Sequence, residues 1–496
     1  MGDPTATRII QFRNVIGADL RSAASGAVLD SVDPSTGRVW AQVPSSGEPE
    51  VAEAVAAAAG AFDKRWRPLP ALARARHLRQ LADVVAGHAS ELAELEARDN
   101  GRLITETTTF DLPACVEMLH YFAGAADKIA GDTVEIGPTS FNFTLREPIG
   151  VVGLIVPWNA PLSITCAKLG AALAAGNAVV VKPAEQAACS VLRLGELALE
   201  AGLPPGVMNV VSGSGEEAGD ALVCHPGVGR ISFTGSTDTA RVIAGRSAPV
   251  LRPLHFELGG KSPNIVFADA DLDLASIGVS TMSIFTGNAG QTCIAGSRIL
   301  AHESIADDLV QRIDAIAGAI VLGPPLDPTT TMGPIISTEQ FERVLSYLAL
   351  GLAEDAELVF GGGSGAQLFP SGNDLAGGYY VAPTLFRSDH NDLRICQEEI
   401  FGPVTVVIPF RDDDHALELA NATRYGLAAG VWTRDLSRAH RFVRALRVGS
   451  VWVNTYRKIH WAMPFGGVKD SGFGRDSGWE SILENTQLKT AWVDLP

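Results

Sequence analysis

The chain has 496 residues, too long for one hydrophobic core, so two or three domains are expected. Apolar residues make up 46% and charged residues 19%, which is the composition of a folded globular chain rather than a disordered one. A net charge of −17 argues against nucleic acid or an anionic membrane as partner, and no apolar run reaches the ~18 residues of a membrane span.

In chain order, the N-terminus carries Asp3 and Pro4 and no apolar stretch of the secretory kind, so cytoplasm is the default compartment. Residues 51–101 read as helices, because Leu78, Leu81, Ala82, Val85, Leu92 and Leu95 recur at helical spacing and Asn100-Gly101 supplies a stop. Thr133 to Glu147 then alternates as a strand does. From about residue 150 short β-branched runs alternate with Ala/Leu-rich stretches: Val151 to Val156, Ala178 to Val181, Val207 to Val211 and Arg230 to Phe233. A second series follows Glu257, with Asn264 to Phe267, Ser297 to Ala301, Thr405 to Pro409, Gly430 to Thr433 and Ser450 to Val453. Leu488 to Asp494 is an isolated strand. The fold class is therefore α/β, with two parallel-sheet domains covered by helices and a small separate β element. Lone strands are poor structures by themselves. They suit either sheet added across a subunit boundary, which predicts a homo-oligomer, or a hairpin packed on its own domain.

Six cysteines stand at 115, 166, 189, 224, 293 and 396, with neither a CxxC pair nor zinc-like spacing, so no metal is expected. Cys293 differs from the others, lying in Gly287-Asn288-Ala289-Gly290-Gln291-Thr292-Cys293, a turn with polar neighbours where a reactive thiol finds backbone donors and access. Glu257, in His255-Phe256-Glu257-Leu258-Gly259-Gly260-Lys261, sits between apolar residues. Burial there would raise its pKa to suit a general base, whereas an exposed strand end would leave it a surface carboxylate. Asn159 follows strand Val151 to Val156 and could donate to a developing oxyanion, or be an ordinary turn residue. Gly235-Ser236-Thr237 opens a helix and offers a phosphate site or a plain cap. The GxGxxG fingerprint is absent, since Ala218 takes the final glycine's place after Gly213-Ser214-Gly215.

Eight segments in order give the chain a close resemblance to the aldehyde dehydrogenase superfamily. They are Arg146-Glu147-Pro148-Ile149-Gly150-Val151, Pro157-Trp158-Asn159, Lys182-Pro183-Ala184-Glu185, Phe233-Thr234-Gly235-Ser236-Thr237, Glu257-Leu258-Gly259-Gly260-Lys261, Gly290-Gln291-Thr292-Cys293, Glu398-Glu399-Ile400-Phe401-Gly402-Pro403 and Pro464-Phe465-Gly466-Gly467. The resemblance implies the aldehyde dehydrogenase fold, with a cofactor domain over 1–128 and 151–258, a catalytic domain over 259–460, and an oligomerisation element over 129–150 and 478–496. It also implies a homodimer or homotetramer. By the same analogy Cys293 is the nucleophile, Asn159 and the Cys293 backbone hold the oxyanion, Glu257 activates water, and Lys168 belongs to a proton relay.

For the cofactor, the resemblance places Lys182 and Glu185 on the adenosine ribose, Ser236 on the pyrophosphate, and Glu399 and Phe401 on the nicotinamide side. Ile155, Pro157, Trp158, Gly215, Phe233, Gly235 and Leu258 complete that set. A carboxylate at 185 favours NAD over NADP, while Lys182 leaves NADP use open. Asp476 stands where the family commonly has Glu, which puts its relay role in doubt. Ala160, Ile164, Ala167 and Thr292 line the expected aldehyde tunnel, with Arg457, Trp461 and Phe465 at its entrance. Small walls and a Trp suit an aromatic or bulky aldehyde. Rival readings are a CoA-acylating enzyme of the same fold, a Cys–His hydrolase and a non-catalytic protein. For the hydrolase, His255 is the one candidate near Glu257, and it is expected to face away from that residue on a strand.

Overall fold

Strand Val151–Val156 is apolar on both faces and lies inside an eight-stranded sheet. The computed structural model describes residues 9–494. From one edge that sheet runs Gly472–Phe473, Leu254–Glu257, Arg230–Thr234, Val151–Val156, Ala178–Pro183, Met208–Val210, Asn14–Ile16 and Asp19–Arg21. Its five inner strands are parallel, and antiparallel strands close both edges. Helices cover both faces, as fully apolar parallel strands require. Ala71–Gly87, Leu112–Ala125, Pro161–Ala174 and Cys189–Glu200 pack one face, and Glu48–Ala61 and Thr237–Ser247 the other.

A second sheet of seven strands runs Glu357–Phe360, Thr384–Arg387, Val404–Phe410, Arg298–His302, Pro263–Val266, Ala428–Trp432 and Ser450–Val453. It is parallel except at Glu357–Phe360. The strands expected after residue 150 are thus present with small shifts at their ends. The short strands between residues 10 and 44 were not anticipated. Some of them are only two or three residues long, which leaves too few positions for a period to show.

The two isolated strands prove to belong together. Thr133–Gly137 and Ser140–Pro148 form a hairpin, and Thr486–Asp494 pairs with the second arm along its full length, Thr486 opposite Pro148 and Asp494 opposite Ser140. The partner is in the same chain, so no neighbouring subunit is needed to complete this three-stranded sheet. Just before it, Gly478–Glu484 is a helix, with Ile482 buried in the first domain's core. No helix among the described residues is long and apolar enough to cross a membrane.

Asn177 ties these parts together. Its Oδ1 accepts the N–H groups of Ile149 (2.7 Å) and Gly150 (3.0 Å), while Nδ2 donates to the Asn485 carbonyl at 2.8 Å. The side chain is fully buried, so its loss would strand several polar groups away from water. Asn177→Ala should lower stability by about 2–4 kcal/mol. The urea midpoint of the first cooperative transition measures this, and a loss below about 1 kcal/mol would contradict the role given to this residue.

Candidate active site

The strand order of the large sheet turns back at Val151–Val156, with Ala178–Pro183 on one side and Arg230–Thr234 on the other. A crevice forms outside the carboxyl ends of strands at such a reversal. There Ile155 lies in register with Lys182 and Phe233, and Thr234 with Glu257. A cleft of about 1760 Å³ opens at this place, bounded by loops from both sheets.

The turn after Val151–Val156 brings Pro157, Trp158 and Asn159 to the cleft, and Ala160, Ile164 and Ala167 follow at the start of helix Pro161–Ala174. Gly235 and Ser236 reach it at the head of helix Thr237–Ser247, where Ser236 Oγ accepts the Thr239 N–H at 3.1 Å. Glu257 and Leu258 end a strand of the first sheet on the same wall. Thr292, Cys293, Glu399, Phe401, Arg457, Trp461 and Phe465 reach the cleft from later in the chain. Ile155, Lys168, Lys182, Glu185, Gly215 and Phe233 are not part of the cleft wall. Lys182 donates to Glu185 at 3.0 Å beyond it, and Gly215 begins a single turn capped by Ser214.

The loop bearing Cys293 is fixed by its own side chains. Buried Gln291 donates to the carbonyls of Asn288 (2.9 Å) and Pro334 (3.1 Å) and accepts the Ile336 N–H at 3.0 Å. Gly290 has φ +71°, and a Cβ there would come within 2.3 Å of the Gly402 carbonyl oxygen, so glycine is required. Cys293 is half-buried against Ile294, Leu427, Ala428 and Phe465. Burial pushes its thiol up to about 12, and the carboxyls of Glu399 and Glu257 push in the same direction. Asn159 Nδ2 donates to the Gln291 carbonyl at 3.0 Å, and its second N–H is the one available to a ligand.

Glu257 is buried, which rules out the surface-carboxylate reading. Burial and the neighbouring Asp476 raise its pKa well above the usual carboxylate range, against the pull of Lys168 and Arg475. Its Oε2 has no hydrogen-bond partner, and Oε1 lies 3.1 Å from His255 Nε2. His255 therefore does not face away. Residues two apart on a strand share a face, and the expectation that 255 and 257 diverge is wrong on that ground. Lys168 is buried as well. Its Nζ donates to Asp476 Oδ2 and to Ser232 Oγ, both at 2.9 Å, so the shorter acid at 476 still reaches it.

Ligand atoms of His255, Glu257 and Asp476 lie within 4.8 Å of one another, but the Lys168 ammonium already provides the positive charge there. The sequence also gave no hint of Arg102. Its guanidinium is buried on Asp111 (2.7 and 2.9 Å) and donates to the Asn159 carbonyl at 3.3 Å, bracing the turn that carries this amide. Its partners lie 9 and 57 residues away, and no local pattern links them.

Glu399 Oε1 accepts the Gly260 N–H at 3.1 Å, and burial raises this carboxyl to about 7. Trp158 and Phe401 meet edge to face with centroids 5.2 Å apart. A weakly acidic thiol, an amide donor and a carboxyl of raised pKa lining one cleft are the parts needed for nucleophilic addition to a carbonyl and later activation of water.

Comparison with known proteins gives the same picture. The model of the Aldehyde dehydrogenase family matches residues 21–491. The chain is 41% identical over 484 residues to a phenylacetaldehyde dehydrogenase of Pseudomonas fluorescens, covering 96% of this chain and 94% of that protein. Two similar solved structures contain NAD+. An indole-3-acetaldehyde dehydrogenase has 41% identity and a TM-score of 0.94, covering 98% and 97% of the two chains. An aldehyde dehydrogenase from Bacillus cereus has 39% identity and a TM-score of 0.95, covering 100% and 99%. The chain belongs to the aldehyde dehydrogenase family.

Proposed function

We propose that this protein oxidises an aromatic or otherwise bulky aldehyde to its carboxylic acid with NAD+, using Cys293 as nucleophile, Asn159 as oxyanion donor and Glu257 as base. The observation that carries the reading is that these three side chains share one cleft at the reversal point of the parallel sheet. The donor set suits a dinucleotide. The N-terminus of an 11-residue helix opens onto the cleft at Ser236 for the pyrophosphate, and Glu399 offers a carboxylate to ribose hydroxyls. Beyond the wall the Lys182–Glu185 pair suits the second ribose, where a carboxylate favours NAD over NADP. The cleft exceeds the ~1,000 Å³ upper range of ordinary ligand pockets, leaving space for both cofactor and aldehyde.

Cys293 sulfur adds to the carbonyl carbon, and the new oxyanion accepts hydrogen bonds from Asn159 and the Cys293 backbone. When bound beside Glu399 and Phe401, NAD+ would supply the acceptor for the hydride that this adduct loses on becoming a thioester. Glu257 Oε2 then takes a proton from water, whose oxygen displaces the sulfur and releases the acid. The thiol proton leaves to solvent before the addition, and burial, which raises the thiol to about 12, keeps the reactive thiolate a small fraction at rest. Phe110, Met118, Trp461 and Met463 join the small Ala160 and Ala167 around the aldehyde end, a wide apolar wall. The names of the phenylacetaldehyde and indole-3-acetaldehyde relatives point to the same substrate class.

The division into 1–128 with 151–258, 259–460, and 129–150 with 478–496 remains our reading of the domains. We assign the last of these to oligomerisation. Its three-stranded sheet exposes Val134, Leu488 and Trp492 on one face and Phe141, Leu145 and Val493 on the other, apolar side chains that further copies would cover to form a dimer or tetramer. Six unpaired cysteines suit a reducing cytoplasm.

Mixing protein, NAD+ and aldehyde should give NADH at 340 nm, and Cys293→Ala should give none. Glu257→Gln should keep the first-turnover burst while steady turnover falls about 10²–10⁴-fold; loss of burst and turnover in equal measure would speak against a base acting on the thioester. Because the base works ionised, turnover should decline as pH falls through the raised Glu257 pKa, above the usual carboxylate range. Alkylation of Cys293 by iodoacetamide in the cofactor-free protein, followed by peptide mass spectrometry, should climb through pH 8–10 without a plateau, since the thiol ionises near 12. A plateau by about pH 8 would show an already ionised thiolate. Finally, kcat/KM should be at least about tenfold higher with NAD+ than with NADP+, and higher for phenyl-bearing aldehydes than for acetaldehyde. Equal cofactor values, or a sharp acetaldehyde preference, would overturn the respective assignment.

A further inference from the structure

Behind the cleft, a chain of side chains from three elements ends on Glu257. Lys168, on helix Pro161–Ala174, donates from Nζ to Ser232 Oγ at 2.9 Å. Ser232 lies 2.9 Å from His255 Nδ1 on the adjacent strand, where residues 232 and 255 are in direct register. His255 Nε2 lies 3.1 Å from Glu257 Oε1. Each of these four residues is buried, with exposures of 2–4%.

With Glu257 ionised, as a base must be, the donors can be ordered from the two ends of the chain. An ammonium only donates, so Ser232 Oγ is the acceptor from Lys168 and its own proton is free to go to His255. An ionised carboxylate only accepts, so the ring proton sits on Nε2, pointed at Oε1 of Glu257, and Nδ1 accepts the Ser232 proton. The other oxygen, Oε2, has no partner although it is buried.

We infer that His255 is a positioning residue for Glu257, its tautomer set by Ser232 and Lys168, so that Oε1 is tied down and Oε2 is the oxygen left without a protein partner to take a proton. This rests on the proposed role of Glu257 as base, and goes beyond it by naming what aims the base. The ring is neutral, because burial lowers its pKa and the positive Lys168, Arg230 and Arg475 lower it further. The charged groups around the pair are Lys168 from the helix, Arg230 from the neighbouring strand, Arg475 and Asp476 from the loop crossing the sheet edge, and Glu484, which holds Arg230 at 2.7 Å. Asp476 Oδ1 lies 3.8 Å from Nδ1, too far for a hydrogen bond, so Ser232 is the group that fixes the ring. An N–H donated to a carboxylate favours its ionised form. His255 therefore offsets part of the burial that raises Glu257.

The test compares His255→Leu with His255→Gln, whose amide can place an N–H where Nε2 stands. In His255→Leu the acid limb of kcat should move up by about one pH unit and turnover at pH 7 should fall about tenfold or more, as expected when a base is lost from part of the population. The burst of first turnover and the KM for NAD+ should stay within about twofold of wild type. His255→Gln should restore the limb. An unmoved limb in the Leu variant, or a Gln variant as impaired as Leu, overturns the inference, whereas wild-type protein inert toward every aldehyde overturns the functional reading instead. A measurement free of turnover decides the geometry in any case. In 15N-histidine spectra the signal missing from His255→Gln should show a neutral ring protonated at Nε2; protonation at Nδ1 instead overturns the proposal.

Discussion

Glu257 is a carboxyl group with almost no water around it, one oxygen held by an imidazole and the other by nothing. Such a group is costly to keep in a folded chain, because charge is disfavoured without compensation. The surroundings supply that compensation unevenly. Lys168 and Arg475 favour the charged form, while burial and Asp476 oppose it. The result is a carboxyl that is neither a permanent anion nor a permanent acid, and the rest of the cleft is arranged around it.

The first sheet provides the rigidity this balance needs. Ser232, His255 and Glu257 sit on paired parallel strands whose register fixes their spacing, and Lys168 comes down on them from a helix anchored in the same core. The thiol comes from elsewhere. Its loop hangs on Gln291, which bonds to the Pro334 and Ile336 backbone. Asn159 spans the gap, with its side chain on the Gln291 carbonyl and its backbone carbonyl on Asn288 and Arg102. The Cys293 thiol and the Glu257 carboxyl are therefore carried by different parts of the fold, and their spacing depends on how those parts are joined at Asn159 and Glu399.

The parts of this site that were legible in the sequence are those with local causes. Cys293 stands in a glycine-rich turn, Glu257 between apolar residues before two glycines, and Ser236 where a helix must be capped; each leaves its mark within a few positions. The parallel strands were legible too, since burial on both faces makes them continuous apolar runs. What could not be read is what depends on distant partners. Arg102 finds Asn159, Lys168 finds Ser232 and Asp476, and strand Thr486–Asp494 finds Ser140–Pro148, none of which a periodic pattern announces. The direction of His255 was legible in principle, since strand alternation alone places it beside Glu257.

The pairing of Thr486–Asp494 with Ser140–Pro148 also bears on how the protein comes into being. Arg146 meets Thr486 at a separation of 340 positions, and the strand that follows Pro148 enters the middle of the eight-stranded sheet. During synthesis, the hairpin's second arm must wait with an open edge until nearly everything between has emerged. That interval is the period of greatest exposure to wrong partners, since an unpaired edge recruits any strand it meets. Ser140–Pro148 is thus a seam closed late, and the cell's handling of the unfinished chain matters most there.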